Sequence, residues 1–389
     1  MPKLNYCLMP IFSLCLSLQA SDNVNKVAAL NSSLEQGQVP TSGISTQEGR
    51  TQRILTRSVP WRACLNQPQD WYSSDEAIRI ADNVILYQRL TGGWEKGIDM
   101  ARPLSDTQRQ QVIKDKEIKR STIDNGATYT PLRYLACVYD ASGQERFKEA
   151  FLRGVDYLLE AQYPNGGWPQ FYPIRRGYYQ HITYNDNSMI NVMFLMKDIA
   201  AGQKPFGFVD EQHRRQAADS IERGLDVILK TQVRVNNTLT AWCAQHDEVT
   251  LKPAGARVYE LPSLSGSESV GIVRYLMSLD NPSPAVRTAI KSACAWFEEV
   301  KITGLRVMTK PDPSKSRGYD RVLVEDPNAP PLWARFYEIG TNKPMFVNRD
   351  GIPRDHFSDL TEERRNGYVY LGGFAHDLLT KEYPAWQKN

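Results

Sequence analysis

Two aspartates stand out by position. Asp124 lies in Thr122-Ile123-Asp124-Asn125-Gly126 and Asp186 in Tyr184-Asn185-Asp186-Asn187, each just ahead of a segment with helical apolar spacing. Asp is a favoured helix cap, so in one reading each carboxylate accepts hydrogen bonds from free backbone N–H groups. In the other, both carboxylates face a shared space and hold a hard cation. Calcium suits such a site, because it takes oxygen ligands and leaves positions for water and for a ligand's own carboxylates. Neither segment is an EF-hand loop, so spacing alone does not name the metal.

A basic set follows. Lys252 and Arg257 lie in Leu251-Lys252-Pro253-Ala254-Gly255-Ala256-Arg257, Arg335 follows Trp333-Ala334, and Arg349 sits between Asn348 and Asp350. A single arginine is ordinarily solvated or ion-paired. Several beside a cation suit a polyanionic ligand, because guanidinium forks clamp carboxylates through paired hydrogen bonds. His181, His213, His246, His356 and His376 show no metal-ligand spacing, and there is neither a Gly-x-Ser-x-Gly elbow nor a phosphate-cradling Gly-rich Lys loop.

These residues need a frame, and the pattern supplies a mainly α one. Helical spacing runs over Asp75 to Leu90, Ala127 to Ala141, Gln144 to Gln162, Ser188 to Ile199, Asp210 to Thr231, Ser267 to Leu279 and Ala285 to Lys301, with a last helix starting near Leu371. Ser73 and Ser74 offer caps to the first. Strand alternation is scarce. Gly92-Gly93-Trp94 precedes Ile123-Asp124-Asn125 and a helix; Gly166-Gly167-Trp168 precedes Asn185-Asp186-Asn187 and a helix. The unit is therefore helix, Gly-Gly-Trp turn, Asp-Asn, helix. Helix pairs that repeat in this way can close into an (α/α) toroid, with inner helices starting at one rim and long loops forming a cleft there.

The bulk properties fit a globular exported protein. Of 389 residues, 41% are hydrophobic and 23% charged, and 47 basic against 44 acidic residues leave a net charge of +3, too small for bulk nucleic-acid binding. Residues 1–20 read as a signal peptide, with Lys3, an apolar run and Ala20 at its end, placing the protein outside the cell or in the periplasm. The run is too short to span a bilayer, so no membrane insertion is expected. Residues 21–58 are polar and read as a linker or disordered arm, and residues 59–389 as the functional domain, with a monomer as the default. Cys64, Cys137, Cys243 and Cys294 show neither close pairing nor metal-type spacing.

At this point the chain resembles the pectate lyases of polysaccharide lyase family ten. The likeness rests on Asp70-Trp71-Tyr72-Ser73-Ser74, Gly92-Gly93-Trp94-Glu95-Lys96-Gly97, Thr122-Ile123-Asp124-Asn125-Gly126-Ala127, Tyr163-Pro164-Asn165-Gly166-Gly167-Trp168-Pro169-Gln170, Ile182-Thr183-Tyr184-Asn185-Asp186-Asn187 and Gly367-Tyr368-Val369-Tyr370. It implies an (α/α) toroid, calcium as cofactor, and polygalacturonate cleaved by β-elimination. By motif position it assigns Arg257 as catalytic base and Asp124 and Asp186 as the acidic residues around the metal. Lys96, Lys252, Arg335 and Arg349 would bind substrate, with Lys252 the second candidate for the base. One departure matters: where the family more often reads Pro-Lys-Asn after Gly-Gly-Trp, this chain has Glu95-Lys96-Gly97. Two rivals stand beside this expectation. One is an inverting glycoside hydrolase with Asp124 and Asp186 as acid and base, roughly 6.5–9.5 Å apart. The other is a polygalacturonate-binding protein without catalysis.

Overall fold

The computed structural model describes residues 59–388. The expected signal peptide, 1–20, and the expected linker, 21–58, therefore lie outside the described residues.

Four outer helices carry the frame: α1 (Asp75–Tyr87), α4 (Glu145–Ala161), α6 (Glu211–Thr231) and α8 (Pro284–Glu299). Three inner helices alternate with them: α3 (Tyr129–Ser142), α5 (Ser188–Ala201) and α7 (Glu268–Met277). Ser74 caps α1 as expected, accepting from the Ala77 N–H at 3.2 Å. Several short elements went unforeseen, and two larger ones. A polar helix, α2 (Asp106–Lys114), starts with a capping box built by Ser105 and Gln108. Its apolar content is too low to give a periodic signal. An antiparallel hairpin pairs Leu305–Pro311 with Tyr319–Glu325. The first of these strands is mostly exposed, so its alternation is blurred. Leu371 does not begin a helix: Leu371–Gly372 is a short strand paired with Trp333–Ala334, and helical turns run over 376–386.

The repeat is deeper than the two Gly-Gly-Trp turns. Trp94, Trp168, Trp242 and Trp333 are all fully buried or nearly so. Their indole N–H groups donate to the carbonyls of Val84, Leu158, Ile228 and Phe297, at 2.8, 2.8, 2.7 and 2.9 Å. Each tryptophan thus donates to a carbonyl in the last turn of the outer helix before it. A glutamine repeats too. Gln88, Gln162 and Gln232 follow α1, α4 and α6. Their side-chain amides bridge a carbonyl of the tryptophan loop (Gly92, Gly166, Thr240) and one of the next outer helix (Ala150, Ser220, Ala289). The glycines permit this close approach. Gly92 and Gly166 both have φ +95°, and a Cβ there would collide with the carbonyl of Arg153 or Arg223 on the next outer helix.

The segment after each of the first three buried tryptophans forms a long loop leading to the next inner helix. The segments after Trp94, Trp168, Trp242 and Trp333 carry every candidate functional residue, although the fourth runs through short strands to the helical turns at 376–386 and not to one of the three inner helices.

Candidate active site

The two aspartate turns are built alike but offset by one residue. In the first, Asn125 and Gly126 have φ of 49° and 76°; in the second, Asp186 and Asn187 have φ of 51° and 58°. By conformation Asp124 corresponds to Asn185, and Asp186 to Asn125. The repeating Asp-Asn pair read from the sequence is therefore offset by one residue between the two turns. Neither side chain caps the helix that follows: no side-chain cap bond is made at the start of α3 or α5. The capping account therefore fails for both.

Their surroundings differ accordingly. Asp124 is buried, and its Oδ2 accepts from Lys96 Nζ at 2.5 Å and from Gln170 Nε2 at 2.8 Å. Its Oδ1 is buried and, among the described residues, has no hydrogen-bond partner. Asp186 is exposed; its Oδ1 receives Arg335 Nη2 at 3.0 Å and its Oδ2 receives Asn185 Nδ2 at 3.0 Å. The buried Glu268, at the start of α7, shares Arg335 Nη2 at 2.5 Å and accepts from the Asp186 N–H at 3.4 Å. The two turns are in contact through their backbones. The donor set is all oxygen, and the orphaned Oδ1 of Asp124 is what a hard cation would satisfy.

The arginines gather around a pair of tyrosines, Tyr259 and Tyr368, whose rings lie 5.8 Å apart edge to face. Arg257 sits over both, at 4.8 and 5.8 Å. Arg349 lies 5.5 Å from Tyr259 and Arg335 5.0 Å from Tyr368. A fourth, Arg364, buried and unforeseen from sequence, lies 4.3 Å from Tyr259 and 5.6 Å from Tyr368. Four cations thus share two ring faces, an arrangement that rings favour electrostatically.

Each arginine also has a carboxylate. Arg257 Nε donates to Glu260 at 2.7 Å and Nη2 to the other oxygen of that group, which also accepts the Tyr368 hydroxyl at 2.9 Å. The bond from Glu260 outweighs partial burial and raises the Arg257 pKa further above its ordinary value. Burial by itself would lower the pKa of Arg335, but Glu268, Tyr368 and Asp186 overcome it and raise that too. Arg349 is exposed and paired with Glu363 at 2.9 Å. Arg257 Nη1 has no acceptor among the described residues. Lys252 is exposed, next to the strand Pro253–Ala254, and forms no ion pair among the described residues.

The departure at Glu95-Lys96-Gly97 is locally compensated. Glu95 is committed to Arg89 at 2.5 Å and to Arg120 at 3.6 Å. Gly97 has φ +79° with open space where a Cβ would lie. Lys96 still reaches Asp124.

Among the described residues, the one group of three His, Cys, Asp or Glu side chains whose ligand-type atoms lie within 4.8 Å of one another is His181, Asp247 and Glu248; Asp124 and Asp186 form no such group. His181 Nδ1 lies 3.0 Å from Glu248, and Asp247 Oδ1 is occupied by Thr250. The four cysteines within the described residues are all free thiols. Among the described residues no helix is long and apolar enough to cross a membrane.

Sequence reasoning missed Glu260, Glu268, Tyr259, Tyr368 and Arg364. Glu260 stands three residues after Arg257, and Tyr368 lies within a motif already singled out, so both left a signal.

The family model for pectic acid lyase matches residues 88–379. No curated protein matches the chain. Among solved structures, a family 10 polysaccharide lyase from Cellvibrio cellulosa is similar at 30% identity and a TM-score of 0.69, covering 84% of this chain and 95% of that one. A mutant of that lyase in complex with trigalacturonic acid is similar at 30% identity and a TM-score of 0.68, covering 84% of this chain and 99% of that one. The family match runs from just after α1 to 379 and takes in the loops that carry the aspartates and arginines, and the chain therefore belongs to the pectic acid lyase family.

Proposed function

We propose that this enzyme cleaves α-1,4-linked polygalacturonate by calcium-assisted anti β-elimination, leaving 4,5-unsaturated oligogalacturonates. One observation carries the proposal: Arg257, Arg335, Arg349 and Arg364 all lie on the same two rings, Tyr259 and Tyr368. A substrate with one carboxylate per sugar is the ligand such a group suits. The trigalacturonic acid complex of the Cellvibrio lyase supports the same class of ligand.

Asp124 and Asp186 would hold the calcium, the first through its unpartnered Oδ1. Bound there, calcium would draw charge from a galacturonate carboxylate and make the neighbouring C5 proton easier to remove. Lys96, Lys252, Arg335, Arg349 and Arg364 would hold the chain's carboxylates in place. Arg257 takes the C5 proton. The electron pair of the C5–H bond becomes the C4–C5 double bond. The C4–O bond breaks with its pair on the departing oxygen, which takes a proton from water.

Glu260 fixes the Nε and Nη2 edge of Arg257, so Nη1 is the nitrogen free to accept. The pairing keeps the resting guanidinium charged, and the reactive neutral fraction grows only at alkaline pH. The hydrolase alternative fits less well: Asp124 accepts from Lys96 and Asp186 from Arg335, partners that suit ionised carboxylates and not a proton-donating acid. The protein would act after export, outside the cell or in the periplasm, as a monomer.

Mass spectrometry of the products from a defined oligogalacturonate tests the reaction type. Elimination makes the fragment with the new non-reducing end lighter by one water than the saturated oligomer. Fragments all at saturated mass would establish hydrolysis instead.

A further inference from the structure

The loop after Trp168 is fixed at both ends to the cleft. At its start Gln170 donates to Asp124 at 2.8 Å. At its end His181 Nδ1 and Gln180 Nε2 meet Glu248, at 3.0 and 2.7 Å, and the Tyr163 hydroxyl donates to the Gln180 carbonyl at 2.7 Å. Between these anchors the loop bears a ladder of rings. Phe171 meets Tyr179 edge to face at 5.3 Å, and Tyr178 lies 4.0 Å from Tyr179. The outer end of the ladder is a cation: Arg175 Cζ stands 4.2 Å from the Tyr179 ring and 5.7 Å from Phe171. At the inner end, Tyr178 lies within electrostatic reach of Arg257 and Glu260.

Arg175 differs from the arginines of the cleft. Arg257, Arg335, Arg349 and Arg364 each face a protein carboxylate. Arg175 is exposed and forms no ion pair among the described residues. Arg176 is equally exposed and forms none either, but no ring supports it. Arg175 is therefore a guanidinium restrained by two aromatic rings, with its charge unneutralised and its hydrogen-bonding fork uncommitted. Ring stacking restrains the side chain without consuming its donors, which lowers the entropy lost when a carboxylate is clamped.

We propose that Arg175, carried by Tyr179 and Phe171, is an outer subsite that receives the carboxylate of a galacturonate unit lying beyond those held at the Tyr259–Tyr368 cluster. The inference rests on the lyase reading above and adds to it a preference for longer chains.

The test compares Arg175→Ala and Arg175→Lys with the unsubstituted enzyme on trigalacturonate and hexagalacturonate. Arg175 is exposed and packs only on rings of its own loop, so an unchanged thermal melt is expected for both variants. Arg175→Ala is expected to lower kcat/KM on the hexamer by about tenfold, the loss of one charge-assisted contact, and to do so through KM. The loss on the trimer should be several-fold smaller. Arg175→Lys, a point charge without the fork, should fall between. Equal losses on both lengths, or no loss on either, would overturn the subsite. Calorimetric binding of the same oligomers separates this result from the lyase reading. If the unsubstituted protein makes no unsaturated product, the reaction is wrong. The subsite still stands if the hexamer binds more tightly than the trimer and Arg175→Ala removes that advantage, and it falls if the advantage persists.

Discussion

Arg257 grips Glu260 through two nitrogens of one edge, Nε at 2.7 Å and Nη2 on the second oxygen, while the Tyr368 hydroxyl closes on the same carboxylate at 2.9 Å. The geometry orients the guanidinium and the charge holds it protonated. A base so placed is well aimed and rarely neutral. Replacing Arg257 by Ala or Lys is therefore expected to lower kcat by about 10²–10⁴-fold, the usual scale of general-base catalysis. Steady-state rates on polygalacturonate check this; a variant within tenfold of the unsubstituted enzyme would remove Arg257 from the role.

Glu260→Gln separates aim from charge. The amide keeps the shape but removes the anion that chiefly raises the Arg257 pKa, leaving the partial burial that lowers it. The pKa falls, so at a given pH more of the arginine is neutral. The rising limb of kcat against pH should move to lower pH, even if the alkaline plateau is reduced by poorer alignment. An unmoved limb would show that another group titrates.

Asp124→Asn removes charge from the proposed cation site while leaving a similar shape. Calcium affinity at oxygen sites follows ligand charge, so the calcium needed for half-maximal activity should rise by more than about tenfold. Calcium titration of activity and of binding heat would both report it, and an unchanged midpoint would place the cation elsewhere, with His181, Asp247 and Glu248 the next group to test.

The frame was legible because its signals are local. Helices α1, α3, α4, α5, α6, α7 and α8 follow the apolar spacing within a few residues, and the two Gly-Gly-Trp turns announced the repeat. The third and fourth units were hidden: Trp242 and Trp333 make the same indole bond to a helix carbonyl but lack the preceding glycine pair. The one-residue offset between Asp124 and Asp186 was also invisible, because it is set by backbone φ and not by residue type. The arginines could be found singly; their convergence on Tyr259 and Tyr368 joins residues more than a hundred positions apart, which no spacing rule reaches.

The repeat itself makes a stability prediction. Trp168 is fully buried and its indole N–H satisfies Leu158 at 2.8 Å. Trp168→Ala should cost about 3–5 kcal/mol through lost packing and the cavity left behind. Denaturant unfolding measures it, and a cost below about 1 kcal/mol would mean that the tryptophan does not knit the units together.

The family departure makes another. Glu95 is the carboxylate partner of Arg89, whose side chain is only 7% exposed. Glu95→Ala should destabilise by roughly 1–3 kcal/mol by stranding that charge, since a buried charged group left without its partner costs on this scale. Gly97→Asn should be close to neutral, because asparagine tolerates a positive φ and the space is open. Thermal unfolding of the pair tests the contrast, which would be contradicted by Gly97→Asn losing as much as Glu95→Ala.

The central claim is calcium-assisted elimination, and ultraviolet absorbance of the unsaturated product tests it most directly. Purified protein is mixed with polygalacturonate at alkaline pH, with calcium, with chelator, and with chelator followed by excess calcium. The account predicts a steady rise with calcium, none with chelator, and recovery when calcium is restored. A rise undiminished by chelator would contradict the cation's role, and no rise under any condition would contradict elimination itself.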